Sequence, residues 1–276
     1  MTAAAPPIQE LQAIARALRR HIVMMIAAAN SGHPGGSLSA VEIISALYFG
    51  GVLRHDPKRP AWPDRDRFIL SKGHGAPALY AALAERGYFP VSELLSLRQV
   101  DSRLQGHPAQ GLAPGVEAST GSLGQGLSIG IGHALAARLD GKPYRTYVLM
   151  GDGECQEGQV WEAAMTAGNY ELASLTAIVD ANRFQLDGAV EDINALDPLA
   201  GKFAAFGWHT VEIDGHDVGA VLDALHTARS HHAAPTCIVA NTVKGKGVTF
   251  MENNNEFHGK APTPEQLKIA LAQLGE

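Results

Sequence analysis

The fold is decided by two stretches of sequence, YRTYVLMGDG at residues 144–153 and LTAIVDANRF at residues 175–184. Each begins with a run of β-branched, aromatic and aliphatic residues, which is typical of a buried strand. Residues 157–170, between the two runs, have the length and composition of a helix. A strand, a helix and a second strand in this order predict a βαβ unit of a parallel sheet.

Polar side chains follow both predicted strands. Gly151 and Gly153 let the backbone turn sharply on either side of Asp152, and Asn182 follows the second strand. Neighbouring parallel strands end at the same edge of a sheet, where open α/β folds bind their ligands, so we expect Asp152 and Asn182 to lie close together. Carboxylate, amide and carbonyl oxygens suit Mg²⁺ or Ca²⁺ whose other ligands are phosphate oxygens and water. The alternative is an ordinary turn, in which Asp152 caps a helix and Asn182 lies in a loop.

The composition is that of an ordinary globular protein and excludes several classes of function. The chain has 276 residues, of which 46% are hydrophobic and 18% charged, and its net charge is −6. This charge provides no basic face for nucleic acid, and the sequence has neither a charged leader nor an apolar run long enough to cross a membrane. The two cysteines, Cys155 and Cys237, are far apart and exclude a disulfide framework. We therefore expect a cytoplasmic protein with no nucleic-acid partner and no membrane association, and we interpret Cys155 as a small filler rather than a reactive thiol.

Strands and helices alternate along the rest of the chain. Apolar spacing predicts a helix over Ile8–Ala29, a second helix capped by Ser37, a helix over residues 90–105 and a last helix over residues 264–274. Further strands are predicted at residues 67–71, 208–213 and 236–242. This alternation favours an α/β fold, a parallel sheet with helices on both faces. No long linker divides the chain, so we expect a single domain over residues 1–276, with a C-terminal extension from about 251 to 276.

Four of the 12 histidines lie in loops that contain glycine: His33, His74, His107 and His258. A histidine in such a loop is free to face a pocket, although a lone loop histidine is more often solvated or bonded locally.

Two glycine-rich segments allow more than one interpretation. Gly124, Gly126 and Gly130 nearly match a dinucleotide-binding fingerprint, but the last spacing is one residue too long and no clear strand precedes them. We interpret this segment as a loop that enters a helix beside a cofactor, and NAD binding ranks last. The sequence KGKG at residues 244–247 follows a predicted strand and is either a phosphate-contacting loop or a solvated, flexible turn.

Six short motifs together resemble the thiamine diphosphate-binding half of transketolases: SGHPG at 31–35, SKGH at 71–74, GHP at 106–108, TGSLGQG at 120–126, GDG at 151–153 and DAN at 180–182. They occur in the family's order and cover nearly the whole chain. The resemblance implies the thiamine diphosphate-binding fold, with thiamine diphosphate and Mg²⁺ or Ca²⁺ as cofactors. Ala181 departs from the pattern, because many thiamine enzymes have a second Asn or Asp at this place.

The resemblance also implies a role for each matching residue. Asp152, the Asn182 side chain and the Phe184 carbonyl would bind the metal ion. The implied cofactor-binding residues are His74, Gly121, Leu123, Gly153, Glu157, Glu162, Asn182 and His258, with Glu157 and Glu162 at a subunit interface near the cofactor. His33, His107 and His258 would line the substrate channel, where imidazoles can donate to sugar hydroxyls and transfer protons.

The activity implied by the resemblance is that of a transketolase, which moves a two-carbon ketol unit from a ketose to an aldose, here most simply sugar phosphates of the pentose phosphate pathway. In this family a second domain supplies the glutamate that activates the cofactor and the arginines that bind a sugar phosphate, and neither follows before Glu276. We therefore expect the N-terminal subunit of a split transketolase. Its partner would be a C-terminal subunit with the pyrimidine-binding and C-terminal domains, in a heterotetramer of two chains of each kind.

Other functions on the same fold remain open at this point. One alternative is a subunit of a 1-deoxyxylulose-phosphate synthase-like enzyme or of a thiamine enzyme that uses a 2-oxo acid. Another is a non-catalytic regulatory subunit, which a fold alone never excludes.

Overall fold

A five-stranded parallel sheet forms the centre of the protein, in a computed structural model that describes residues 6–275. Its strands are β1 (Arg67–Leu70), β2 (Thr146–Gly151), β3 (Leu175–Ala181), β4 (His209–Asp214) and β5 (Thr236–Asn241). They lie side by side in the order β1-β2-β3-β5-β4, and every neighbouring pair is parallel. The predicted parallel sheet, with β2 and β3 as neighbours, is therefore confirmed.

Helices connect the strands. They are α1 (Ile8–Ala29), α2 (Pro34–Leu38), α3 (Val41–Phe49), α4 (Ala76–Glu85), α5 (Gln125–Leu139), α6 (Gly158–Asn169), α7 (Val190–Asn194), α8 (Leu199–Ala205), α9 (Val218–Ser230) and α10 (Pro264–Gln273). Short 3-10 helices cover Gly73–Gly75, Val91–Ser96, Gly153–Gln156 and Asn255–His258. Across residues 6–275, none of these helices combines the length and the apolar character that a membrane span requires.

Successive side chains of each central strand enter two different hydrophobic cores. Along β2, Tyr147 and Leu149 pack with α1, α3, α4 and α9 on one face, whereas Val148 and Met150 pack with α5, α6 and α8 on the other. All four are fully buried, and burial of such a side chain contributes roughly 1.5–3 kcal/mol. The cover on both faces explains why these strands appear in the sequence as continuous apolar runs.

The register of the sheet brings the carboxyl ends of four strands to one rim. Leu70 pairs with Leu149, Gly151 with Asp180, and Ala181 with Asn241. Residues 71–74, 152–153, 182–184 and 242–244 therefore leave the sheet at nearly the same level, from β1, β2, β3 and β5 respectively.

The start of the second predicted helix differs from the expectation. Pro34 begins the short helix α2 and Val41 begins the separate helix α3, so Ser37 lies inside a helix and is not its cap. The Ser37 hydroxyl donates to the His33 carbonyl oxygen at 2.7 Å. Proline is favoured in a first helical turn because its missing N–H is not needed there, and this signal outweighed the serine.

The helix predicted over residues 90–105 is wrong. Only Val91–Ser96 is helical, as a 3-10 helix, and Arg98 and Asp101 have positive φ angles of 60° and 64°. Leu97 and Leu104 are nevertheless fully buried. An irregular chain reversal, and not a helix, brings both leucines into the core.

The C-terminal segment packs against the rest of the protein. Met251, Phe257, Ala270 and Leu274 are buried in the same core as α1. The predicted bounds of the domain and of its extension, which include positions 1–5 and 276 outside the described residues, stay a prediction.

Two glycines of α5 provide a matched test of packing against the sheet. A Cβ atom at Gly130 would lie 2.5 Å from Val148 Cγ2, whereas one at Gly132 would meet nothing within 4 Å. We expect Gly130→Ala to destabilise the protein by about 1–3 kcal/mol through overpacking, and Gly132→Ala to stabilise it by up to about 1 kcal/mol through helix propensity. Urea unfolding measures both changes, and equal effects of the two substitutions would contradict the packing described for α5.

Candidate functional site

A cavity of about 310 Å³ lies at the rim where the strands end. Its lining includes His74 after β1, Asp152 and Gly153 after β2, and Asn182 and Phe184 after β3. The structure thus brings together the predicted metal-binding residues and six of the eight predicted cofactor-binding residues, namely His74, Leu123, Gly153, Glu157, Asn182 and His258. This volume is at the lower end of the range for small-molecule sites.

Asp152 is a buried carboxylate held by the backbone. Its Oδ1 accepts from the Gly153 N–H at 2.9 Å and its Oδ2 accepts from the Arg183 N–H at 2.7 Å. Burial and the nearby Asp180 carboxylate raise the pKa of Asp152 to about 6. A cation bound to Asp152 would favour its charged form and lower this pKa.

The Asn182 side chain lines the same cavity as Asp152, and both the oxygen and the nitrogen of its amide form hydrogen bonds. Oδ1 accepts from the Phe184 N–H at 3.1 Å, while Nδ2 lies 3.3 Å from Asp180 Oδ2 and 3.4 Å from Ser39 Oγ. Among residues 6–275, no three His, Cys, Asp or Glu side chains converge as a metal-ligand cluster. The donors here are one carboxylate, one amide and backbone carbonyl groups, which fits a hard ion that takes further oxygen ligands from phosphate and water.

A buried ion pair supports Asn182 from below. Lys72 and Asp180 are both about 1% exposed or less, and Lys72 Nζ donates to Asp180 Oδ2 and, at 2.6 Å, to the Gly36 carbonyl oxygen. Asp180 also accepts from the hydroxyls of Ser39 and Thr242. Burial alone would raise the pKa of Asp180, but the Lys72 ammonium and these hydroxyls outweigh it, so the pKa is lowered. The network joins β1, α2, β3 and the end of β5.

A second buried carboxylate, Glu154, holds the glycine-rich loop in place. It accepts from the Ser71 hydroxyl, from the Gly124 N–H at 2.9 Å and from the Gly151 N–H at 3.1 Å. Burial raises the pKa of Glu154 against the lowering effect of these hydrogen bonds. The contact places the N-terminus of α5 at the cavity, as the interpretation of this loop required.

The four loop histidines form one cluster. The ring centroid of His33 lies 5.4 Å from that of His74, 6.1 Å from His107 and 5.7 Å from His258, and His74 lies 5.5 Å from His258. Burial, followed by nearby positive charges, lowers the pKa of His33 and His258 to about 4 and the pKa of His74 well below its usual range. The pKa of His107, which is more exposed, is lowered by burial and by Arg98. The cluster is therefore uncharged at neutral pH.

Lys244 lines the cavity although sequence reasoning left its role open. Its side chain is 1% exposed, and Nζ contacts Asn255 Oδ1 at 2.7 Å and His258 Nδ1 at 2.8 Å. Burial and the charge of Lys72 lower the pKa of Lys244 to about 8. A solvated turn is thus excluded at this residue. The signal that could have found it was its position just after β5, level with Asn182.

The remaining predicted residues occupy three different places. Leu123 and Glu157 line the cavity, whereas Glu162 is exposed on α6, outside the cavity lining. Gly121, with φ of +145°, lies against the His107 ring, and a Cβ there would be 3.1 Å from His107 Cδ2. Cys155 is fully buried, its thiol donates to the Gly151 carbonyl oxygen at 3.3 Å, and burial raises its pKa, so it is a filler as expected.

Comparisons with known proteins agree with this geometry. A family model described as "Transketolase, thiamine diphosphate binding domain" matches residues 10–276. The chain is 45% identical over 265 residues to a 6-deoxy-6-sulfo-D-fructose transketolase subunit of Clostridium sp., with 96% of each chain covered. It is also 45% identical over 266 residues to an apulose-4-phosphate transketolase subunit of Actinobacillus succinogenes, again with 96% of each covered.

A solved transketolase structure has the same fold. That of Campylobacter jejuni superposes with a TM-score of 0.92 at 35% identity, which covers 98% of this chain and 43% of the other. The chain therefore spans about two fifths of the length of that transketolase, but nearly the whole length of the two subunits.

The buried Lys72–Asp180 pair provides a test of what supports the rim. We expect Lys72→Met to destabilise the protein by about 3–5 kcal/mol, because it leaves the Asp180 carboxylate buried without its counter-charge. Lys142→Met is the matched control: it removes an ion pair with Asp64 whose side chains are 41% and 36% exposed, and such pairs contribute about 0–1 kcal/mol. Urea unfolding of both variants gives the two values. A loss below about 1 kcal/mol for Lys72→Met would show that the pair does not support the rim.

Proposed function

This chain belongs to the family of transketolase thiamine diphosphate-binding domains, and we propose that it is the N-terminal subunit of a split transketolase that moves a two-carbon ketol unit between sugars. The observation that carries the proposal is the common rim: the oxygen donors of Asp152 and Asn182 line one cavity with His74 and His258. The proposed site for a metal-bound diphosphate therefore adjoins a cluster of histidine side chains that can form hydrogen bonds with a polyol.

Asp152, the Asn182 side chain and the Phe184 carbonyl are proposed to hold Mg²⁺ or Ca²⁺, which holds the diphosphate. His74, Gly153 and His258 would contact the diphosphate oxygens. When bound, thiamine diphosphate supplies the carbanion and the electron sink that carbon–carbon bond transfer needs. Gly121 and Leu123 are proposed to lie against its pyrimidine ring.

His33, His107 and His258 are proposed to bind the sugar. Their pKa values lie below the usual range, so these rings are neutral at pH 7 and each offers one N–H donor and one acceptor nitrogen to hydroxyl groups. Proton exchange with a hydroxyl is possible through such a ring, but charge attraction to a phosphate is not. The groups that bind a sugar phosphate are therefore sought on the partner.

A separate C-terminal subunit is the proposed partner. The relatives that match this chain from end to end are themselves named as subunits, whereas the full-length transketolase is more than twice as long. We propose a heterotetramer with two chains of each kind, in which Glu157 and Glu162 lie at an interface near the cofactor. Both glutamates are exposed here.

The substrate pair and compartment are also part of the proposal. Sugar phosphates of the pentose phosphate pathway are the simplest donor and acceptor, although the two relatives are named for a sulfonated sugar and for apulose 4-phosphate. Cys155 and Cys237 are both free and buried, which suits a reducing cytoplasm.

Reconstitution tests the split architecture. We expect no ketol transfer from this chain alone with thiamine diphosphate and Mg²⁺, because the proposal assigns the cofactor-activating glutamate to the partner. Transfer between a ketose phosphate and an aldose phosphate should appear when the C-terminal transketolase subunit of the same organism is added. Full turnover by the isolated chain would contradict the proposal, and so would an inactive mixture that forms a complex and binds cofactor.

Asp152→Ala tests the metal site. We expect calorimetry on the reconstituted complex to show thiamine diphosphate binding that no longer depends on Mg²⁺ and is at least about 100-fold weaker, since a hard ion depends on its few direct oxygen ligands. The substitution also removes two hydrogen-bond acceptors, so urea unfolding is measured in parallel. Asp187→Ala, an exposed residue of the same cavity, is the matched control. Unchanged, Mg²⁺-dependent affinity for Asp152→Ala would refute the assigned ligand.

A further inference from the structure

We propose that Arg98 is a positioning residue that holds His33 in the tautomer protonated on Nε2, and so makes this histidine a hydrogen-bond donor to a sugar oxygen. The substrate class rests on the proposed function, but the tautomer itself does not. Arg98 was not among the residues that the sequence singled out, because it lies in the segment expected to be an ordinary helix.

The Arg98 guanidinium ties together two of the histidine loops. Its NH1 group donates to Ser31 Oγ at 2.9 Å, two residues before His33, and its NH2 group donates to the Gly106 carbonyl oxygen at 3.4 Å, next to His107. NH2 also lies 3.4 Å from His33 Nδ1. A Cβ atom at Gly106 would lie 2.9 Å from Arg98 Cζ, so only glycine lets the guanidinium rest on this backbone.

The backbone at Arg98 is held in a costly conformation. Its φ of 60° lies in the left-handed region, which residues other than Gly, Asn and Asp rarely adopt. The Arg98 N–H donates to the Leu104 carbonyl oxygen at 2.9 Å, and the flanking Leu97 and Leu104 are fully buried. Such conformations persist where the surroundings over-determine them, often at functional sites. Here the reversal points the guanidinium back at Ser31 and His33.

The chemistry of the contact sets the tautomer. A guanidinium has only donors and is always charged, so the nitrogen that faces it, His33 Nδ1, must accept. A neutral ring that accepts at Nδ1 carries its proton on Nε2. The Nε2 edge of the ring lies beside Gly259, where a Cβ would be 3.6 Å away, so it is not covered by a large side chain there.

The charges around His33 keep the ring neutral. The charged groups near it are Arg98 and Lys244, and the titratable rings near it are His74, His107 and His258. Burial and then Arg98 lower the pKa of His33 to about 4. No carboxylate of residues 6–275 is among the groups that shift this pKa, so nothing described there offsets the repulsion by the two cations.

His258 shows the same arrangement with a different cation. Lys244 Nζ, an ammonium donor at neutral pH, lies 2.8 Å from His258 Nδ1, so that ring too is protonated on Nε2. The His33 and His258 rings are 5.7 Å apart and nearly perpendicular, at 86°. Two neighbouring N–H donors on neutral rings suit the hydroxyl or carbonyl oxygens of an uncharged part of a sugar, and they cannot act as general acids of ordinary histidine pKa.

Nuclear magnetic resonance of the full chain tests the tautomer directly. Long-range ¹H–¹⁵N correlations of ¹⁵N-histidine-labelled protein report which ring nitrogen carries the proton, and His33→Gln assigns the signal. For the wild type we expect a neutral Nε2–H ring at pH 7 that stays neutral down to about pH 5. An Nδ1–H ring, or a charged ring at pH 7, would overturn the proposal without any variant.

Two substitutions of Arg98 separate the effect of its several hydrogen bonds from the effect of its charge. In Arg98→Met we expect His33 to populate both tautomers and its pKa to rise from about 4, but to stay below the ordinary value of about 6.5 because burial and Lys244 still lower it. Arg98→Lys keeps the charge, but a shorter ammonium side chain cannot bond Ser31, Gly106 and His33 together, so the His33 pKa should stay low while the tautomers mix. Arg103→Met is the matched control from the same segment, because Arg103 forms hydrogen bonds only with Glu93 in the part of the chain described. If His33 in Arg98→Met has the wild-type tautomer and the wild-type pKa, the positioning role of Arg98 is refuted. If Arg98→Met does not fold, the tautomer of His33 in Arg98→Lys decides the question.

Kinetics of the reconstituted enzyme provide the functional readout. We expect Arg98→Met to raise KM for the ketose donor about 10-fold and to leave the affinity for thiamine diphosphate unchanged, with Arg103→Met like the wild type. Equal weakening of sugar and cofactor binding would indicate a merely structural role and overturn the proposal. If the reconstituted wild-type complex were inactive, only the proposed function would be contradicted. The tautomer of His33 is measured on the isolated chain and does not depend on activity.

Discussion

The site depends on one buried ion pair, Lys72 with Asp180. The pair lies directly beneath the rim and connects the end of β1 to the end of β3, with the Gly36 carbonyl oxygen and two hydroxyls as further partners. Two charges in a dry interior are costly unless their donors and acceptors are matched, and here both Asp180 oxygens and two of the three Lys72 N–H groups have partners. The Asn182 amide contacts the same carboxylate, so its orientation follows from the pair. Hydrophobic burial holds the sheet together, but this polar network determines what the rim presents.

Much of the architecture could be predicted from the sequence, because strands buried on both faces leave continuous apolar runs and parallel strands bring their carboxyl ends together. Asp152 and Asn182 meet for that reason alone. Local pattern failed where long-range packing decided the structure. Leu97 and Leu104 have helical spacing, yet the chain between them reverses direction, and Arg98 emerges from that reversal. The role of Lys244 stayed open because its contacts come from residues 185 and 255–258, which are distant in sequence.

Electrostatics divide the cavity into two unlike halves. Around Asp152, burial and then the Asp180 carboxylate raise the pKa of this residue, against the lowering effect of two backbone hydrogen bonds and of Lys72. Around the histidines the nearest charges are Arg98, Lys244 and Lys72, and the rings are neutral. A ligand with a metal-bound anionic end and an uncharged, hydroxyl-rich end matches both halves. His74 and Asp152 follow the neighbouring strands β1 and β2, so the register of the sheet sets how close these two residues lie.

The two backbone hydrogen bonds to Asp152 affect which metal ions this carboxylate suits. Each carboxylate oxygen already accepts one backbone N–H, so each retains a single lone pair and the direction of that lone pair is set before any cation arrives. Each oxygen of such a carboxylate offers one lone pair at a fixed angle, and the group cannot rotate freely to meet an ion through both oxygens. Small ions with strict octahedral coordination tolerate such a ligand well, whereas larger ions with seven or eight neighbours gain most from carboxylates that bind through both oxygens. In the proposed metal site, the turn after β2 would therefore favour small octahedral ions by its geometry.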